Sequence, residues 1–214
     1  MSGRTIELAE QFEDIAQQRA AATLGMWIFL ATEVMFFGGL FLAFAVARFL
    51  HADAFNQGAK QLDVLAGSIN TAILLTSSFT TALAVAALKQ GKKKCVIALL
   101  LISVVLGSLF LTIKGYEYHE KWTAGLFPGA NFTADGPIRA QLELFFLFYF
   151  ILTGLHGIHL LVALGIALAM LWFLIAGRIT QTRYTPIETS ALYWHFVDIV
   201  WVFVFPILYL IGGR

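Results

Sequence analysis

Five ionisable side chains sit inside stretches that otherwise read as membrane spans. His195 and Asp198 stand three residues apart, one helical turn, within Tyr193 to Trp201. Glu33 lies near the middle of 23–47, a stretch otherwise apolar apart from Thr32. His156 and His159, again three apart, share one face of a helix. A central Asp or Lys costs about 2.5 to 3.5 kcal/mol on insertion scales, so His195 and Asp198 read as a functional or helix-gluing pair that faces protein.

The chemistry open to these groups is limited. Burial favours the neutral acid at Glu33, which makes it a protonatable group at the membrane centre: a proton relay, a carboxylate ligand, or a neutral Glu bonded to a hydroxyl or carbonyl on the next helix. Such interhelical bonds are worth only about 0.6 to 2 kcal/mol. His156 and His159 could ligate a metal or a haem. A haem with two axial histidines needs them on different helices at similar depth. By rise per residue, His195 lies about 10 Å from the end of its helix and His156 about 30 Å from the same-side end of its own. His159, nearer the middle, could pair with Glu33 or with Asp198. Histidines held by structural hydrogen bonds are the better reading.

The elements that position these groups follow from composition. Of 214 residues, 59% are hydrophobic and 13% charged, with a mean hydropathy of +0.81. A water-soluble globule is apolar in nearer half its residues, so this is an integral membrane protein. The pattern predicts an all-α polytopic bundle of about five transmembrane helices, at about 24–47, 65–88, 96–114, 142–176 and 192–211. The bundle then covers 23–212, preceded by a cytoplasmic or interfacial segment over 1–22 in which Leu8, Phe12 and Ile15 share a face. That segment lacks the order of a cleaved signal peptide.

Arg4, Arg19, Lys89, Lys92, Lys93, Lys94, Arg178 and Arg183 gather on one side, eight of the fourteen Lys and Arg. This predicts a cytoplasmic amino terminus and a periplasmic carboxyl terminus. The Lys92–Lys94 run reads as a topological signal rather than a nucleic-acid patch. The single Cys95 excludes a disulfide framework or a cysteine metal cluster, and no phosphate loop or nucleophile motif is present. Lys114, Tyr116, Glu117, Tyr118, His119 and Glu120 form an outer interfacial cluster at the end of the third span. They read as a membrane anchor or a docking patch for a partner.

Several segments, in order, resemble subunit III of the haem–copper respiratory oxidases: Gly25 to Glu33, Asn70 to Ser78, Lys114 to Glu120, Thr153 to Leu160 and Tyr193 to Trp201. The likeness runs from about Thr23 to Leu210. It implies a non-catalytic subunit of a proton-pumping terminal oxidase of the cytochrome c type, without catalytic, cofactor-binding or metal residues of its own. Haem and copper are then expected in partner subunits I and II. The resemblance further implies packing on subunit I, bound phospholipid, support of proton uptake in aerobic respiration, and a place in the bacterial cytoplasmic (inner) membrane, with a larger respiratory supercomplex as a further partner. The chain resembles the five-helix bacterial form, without the first two helices of the seven-helix form. Two alternatives stand beside this reading. One is subunit III of a quinol oxidase or an accessory subunit of a nitric oxide reductase; the other is a bis-histidine haem b cytochrome using His156 or His159 with His195.

Overall fold

The computed structural model describes residues 11–129, 132–133, 136–179 and 185–210. Its regular elements among them are all helical: α1 (Ile15–Leu50), α2 (Ala52–Ala59), α3 (Val64–Lys89), α4 (Lys93–Thr123), α5 (Arg139–Ile175) and α6 (Thr185–Phe205), closed by a π-helical turn over Pro206–Leu210. Five helices are long and apolar enough to cross a membrane: α1, α3, α4, α5 and α6 with its π turn. Each expected span falls on one of them, with Ala176 one residue past the end of α5 and Ile211 outside the described residues. The helices overrun the spans, however; α1 and α5 have 36 and 37 residues. At about 1.5 Å per residue each exceeds 50 Å, well beyond a hydrocarbon core of about 30 Å, so both tilt or project.

Local sequence explains where the helices begin and turn. Asp14 Oδ1 accepts from the Gln17 N–H at 2.6 Å, and Asp63 Oδ1 accepts from the Leu65 and Ala66 N–H groups at 2.9 and 3.0 Å. These carboxylates satisfy orphan donors at two helix starts. At the α3–α4 turn Gly91 adopts φ 72°, its N–H bonds Leu88 O, and Lys92 N–H bonds Ala87 O. That left-handed C′ glycine closes the helix and lets the chain reverse within three residues. Gly177 ends α5 in the same way. Pro186 sits in the first turn of α6, where its missing N–H costs little. Pro206, at the far end, cannot donate to the ladder, and the wider π turn follows from it.

The spanning helices run antiparallel in sequence, and α6 occupies the centre. It packs on α1, α3 and α5, and 61% of its most apolar window is buried against 17% for α1. Two features depart from expectation. α2 was not foreseen in the first connection; it tucks Phe55 against Phe44, Phe145 and Phe148, with centroids 5.3 to 6.4 Å apart. Gly58 of α2 touches the Phe145 ring so closely that a Cβ has no room. The third spanning helix also ends later than the expected span at 96–114, because α4 continues nine residues past Lys114 to Thr123. Of the expected amino-terminal segment, residues 1–10, including Leu8, lie outside the described residues; from Ile15 onward it is already α1.

Candidate functional site

The polar groups inside the bundle fall into three places. The first lies between α1 and α5. His159 Nε2 is 3.1 Å from Glu33 Oε2, and His159 Nδ1 is 2.8 Å from the Leu155 carbonyl. A carbonyl only accepts, so Nδ1 carries a hydrogen, and Nε2 meets the carboxyl either as an acceptor from Glu33–OH or as a donor to Glu33 carboxylate. One proton is therefore shared between the two side chains. They are 17% and 19% exposed, so the pair opens to the flank of the bundle rather than lying sealed in its core. Of the two partners open to His159, the fold selects Glu33. The Phe37 ring meets the His159 ring edge-on at 5.2 Å.

The second place is the α3–α6 seam. His195 Nδ1 lies 2.7 Å from Ser78 Oγ, Trp194 Nε1–H donates to Ser77 Oγ at 3.0 Å, and Trp201 Nε1–H donates to Thr71 Oγ1 at 3.0 Å. Ser103 of α4 joins the seam: Thr80 Oγ1 lies 2.7 Å away and Thr81 Oγ1 donates at 2.9 Å. A cavity of about 20 Å³ beside this hydroxyl cluster is lined by Thr81, Ser103, Met170, Ser190 and Trp194 among others. That is room for about one water. His195 thus acts as interhelical glue, but not together with Asp198. The Asp198 carboxyl is buried at 3% exposure; it completes no hydrogen bond of good geometry, although the Ser78 hydroxyl is close enough to bond it with a small shift. The two do not bond each other directly: each faces protein, and the Ser78 hydroxyl lies beside both.

The third place is where the outer interfacial cluster was expected. Tyr116 does face outward, at 74% exposure. Glu117 and Lys114 do not; they are 2% and 6% exposed. Lys114 Nζ donates to Glu117 Oε2 at 3.0 Å, to Tyr209 Oη at 2.7 Å and to Tyr149 Oη at 3.3 Å. Both phenols in turn donate to Glu117 Oε1, at 2.9 Å from Tyr149 and 2.6 Å from Tyr209. The ammonium lies 4.9 to 5.6 Å from the centroids of Tyr118, Tyr149, Trp201 and Tyr209, an aromatic cage. Tyr118 also turns inward, its hydroxyl 2.6 Å from Thr153 Oγ1. Ending the third span at Lys114 hid this cluster. The available signal was the three-residue spacing of Lys114 and Glu117, which lets opposite charges meet on one helix face inside protein.

His156 stands between these places, wholly buried, with its ring 5.5 Å from Phe110 and 5.2 Å from Trp201. The three intramembrane histidines therefore have different surroundings. His159 meets a carboxyl, His195 a serine, and His156 two aromatic rings.

The family model for cytochrome c oxidase subunit III matches residues 12–213. The chain belongs to that family. It is 34% identical over 192 residues to the cytochrome c oxidase subunit 3 of Alkalihalophilus pseudofirmus, covering 88% of this chain and 86% of that one. It is 32% identical over 194 residues to the cytochrome bo(3) ubiquinol oxidase subunit 3 of Pseudomonas putida, covering 88% and 85%. The cytochrome c oxidase subunit 3 of Gallus gallus is 30% identical over 195 residues, with 88% of this chain and 69% of the longer bird protein covered. The five-span bundle is thus that of an oxidase subunit III, a multi-pass membrane protein that is part of an oxidase complex. All three polar places lie within the matched stretch.

Proposed function

We propose that this chain is the non-catalytic subunit III of a proton-pumping haem–copper terminal oxidase of the cytochrome c type. It packs on subunit I, holds phospholipid and supports proton uptake during aerobic respiration. Subunits I and II then carry the haem and copper, and the complex lies in the bacterial cytoplasmic membrane. The amino terminus of this chain is cytoplasmic and its carboxyl terminus periplasmic.

The observation that supports this reading is the Glu33–His159 pair. It holds one exchangeable proton at membrane depth, on a flank that is only partly covered by the bundle's own helices. Beside it α1 presents Leu24, Trp27, Ile28, Met35 and Leu42 outward, 57 to 78% exposed, an apolar face suited to lipid or to another subunit. The likeness to a quinol oxidase subunit carries the second reading, in which the electron donor is a quinol.

A mild-detergent pull-down of the tagged chain from its native membrane, followed by mass spectrometry, tests both. Recovery of a large haem–copper subunit I with a copper-binding subunit II is the expected result. A subunit II without copper ligands moves the assignment to a quinol oxidase. A chain recovered alone and carrying haem absorbance overturns the proposal in favour of a haem-binding cytochrome.

A further inference from the structure

Eight buried side-chain atoms among the described residues meet no protein hydrogen-bond partner, and six of them belong to three residues: Asn70 Oδ1 and Nδ2, His156 Nδ1 and Nε2, and Asp198 Oδ1 and Oδ2. Asn70 and His156 are fully buried and Asp198 is 3% exposed. Unpaired amide, imidazole and carboxyl groups in one core are uncommon, because buried polar groups are ordinarily paired with protein or with ordered water.

Trp201 is the common neighbour through which the three residues are related. His156 packs on the ring of Trp201, and the Trp201 indole N–H donates to Thr71, the residue after Asn70. Asp198 precedes Trp201 by three positions on the buried face of α6, less than one helical pitch of about 5.4 Å. Asn70, His156 and Asp198 also come from three different helices, α3, α5 and α6, that enclose the same core.

The groups on either side are bonded directly to protein. Towards the start of α6, Trp194, Ser77, Thr80, Thr81 and Ser103 complete one network. Towards its end, Lys114, Glu117, Tyr149 and Tyr209 complete another, and Lys114 is near enough to His156 to interact with it electrostatically. All three ammonium donors of Lys114 already have acceptors. It therefore cannot satisfy the imidazole as well.

We propose that Asn70, His156 and Asp198 hold internal water in the membrane core, and that this water joins the two networks into one polar thread along the inner face of α6. Water fits the chemistry of the residues: Asn70 offers a donor and an acceptor, His156 one of each when neutral, and Asp198 two oxygens. A buried water needs 2 to 4 such partners. From Trp194 to Tyr209 the thread extends about 22 Å, most of the hydrocarbon thickness. It gives the bundle an unbroken series of donors and acceptors at a depth where bulk water does not reach.

The test uses the full chain in lipid bilayers, labelled with ¹⁵N in histidine and asparagine side chains, and water-edited solid-state NMR. The His156 ring nitrogens are assigned by their loss in His156→Phe. The Asn70 amide is assigned in the unmodified chain, since Asn70 is the one fully buried asparagine among the described residues. The expected result is magnetisation transfer from water to both sites at short mixing times. A direct Asn70–His156 hydrogen bond without water transfer overturns the proposal, as does transfer to neither site. Should His156→Phe fail to fold, the Asn70 amide alone decides, read in the same two ways.

Discussion

Lys114→Met offers the sharpest test of how the buried ion pair holds the bundle. The substitution keeps most of the length of the side chain and leaves a thioether near the rings of Tyr118, Tyr149, Trp201 and Tyr209, an environment that sulfur tolerates. It removes three hydrogen bonds and strands Glu117, 2% exposed, with two phenol donors and no counter-charge. Breaking a buried pair from one side costs about 3 to 5 kcal/mol. The two phenols that remain on Oε1 put Lys114→Met towards the lower end. For a chain of this length each kcal/mol moves Tm by about 2 to 4 °C, so a fall of at least about 6 °C is expected in thermal unfolding followed by detergent size-exclusion chromatography. Glu117→Gln should cost a similar amount, since it leaves the ammonium without a counter-charge. The double variant decides the matter. With both charges gone the desolvation cost disappears, and what remains is imperfect hydrogen bonding of Tyr149 and Tyr209, about 1 to 3 kcal/mol. The double variant should therefore be more stable than Lys114→Met alone, a non-additivity that only coupled groups produce. Strictly additive losses, or a Tm for Lys114→Met within about 2 °C of the parent, would refute the reasoning.

Glu33→Gln should leave the bundle nearly intact, because the amide N–H can still donate to His159 Nε2 while Nδ1 stays on the Leu155 carbonyl. A loss under about 1 kcal/mol is expected, and a Tm drop beyond about 5 °C would show instead an ionic pair that needs the charge. Gly58→Ala drives a methyl into the Phe145 ring and should cost about 1 to 3 kcal/mol by overpacking; an unchanged Tm would mean that α2 is free to shift. Ser103→Ala removes the hydroxyl on which Thr80 and Thr81 converge, a loss of about 0.6 to 2 kcal/mol readable as a lower Tm with no change in helix content by circular dichroism.

Much of the architecture was legible because hydrophobic run length is a strong signal in a membrane. Each of the five apolar runs became a helix, and the glycine after Gln90 marked the reversal between α3 and α4. The ends were not legible from hydropathy alone. α4 extends through Lys114, Glu117 and Lys121 because the first two neutralise each other, while Lys121 donates to the Gln61 carbonyl at 2.7 Å. A window average counts those residues as polar and stops at the first. The candidate residues were found for the right reason, their depth, whereas their partners depended on helix rotation, which a single sequence does not encode. Glu33 and His159 are 126 positions apart and meet only because α1 lies beside α5 and α6 at the angle it does.

The distribution of polar joints suggests why hydroxyls and rings outnumber ions here. Between helices in lipid there is no hydrophobic force to set the register, since the tails outside are as apolar as leucine inside. The joints in this bundle tie several pairs of helices: Glu33 to His159 for α1 and α5, Ser103 to Thr80 and Thr81 for α4 and α3, Trp201 to Thr71 for α6 and α3, and Glu117 to Tyr149 for α4 and α5. Tyr209, reaching Glu117 from the π turn, ties the end of α6 to α4. A slip of α6 by one residue against α3 would unmake the Trp194, His195 and Trp201 bonds together, because all three partners lie on α3. Neutral hydroxyl and indole pairs do this at little desolvation cost. The buried charged pair is confined to the place where four aromatic rings, two of them with hydroxyls bonded to Glu117, can enclose it.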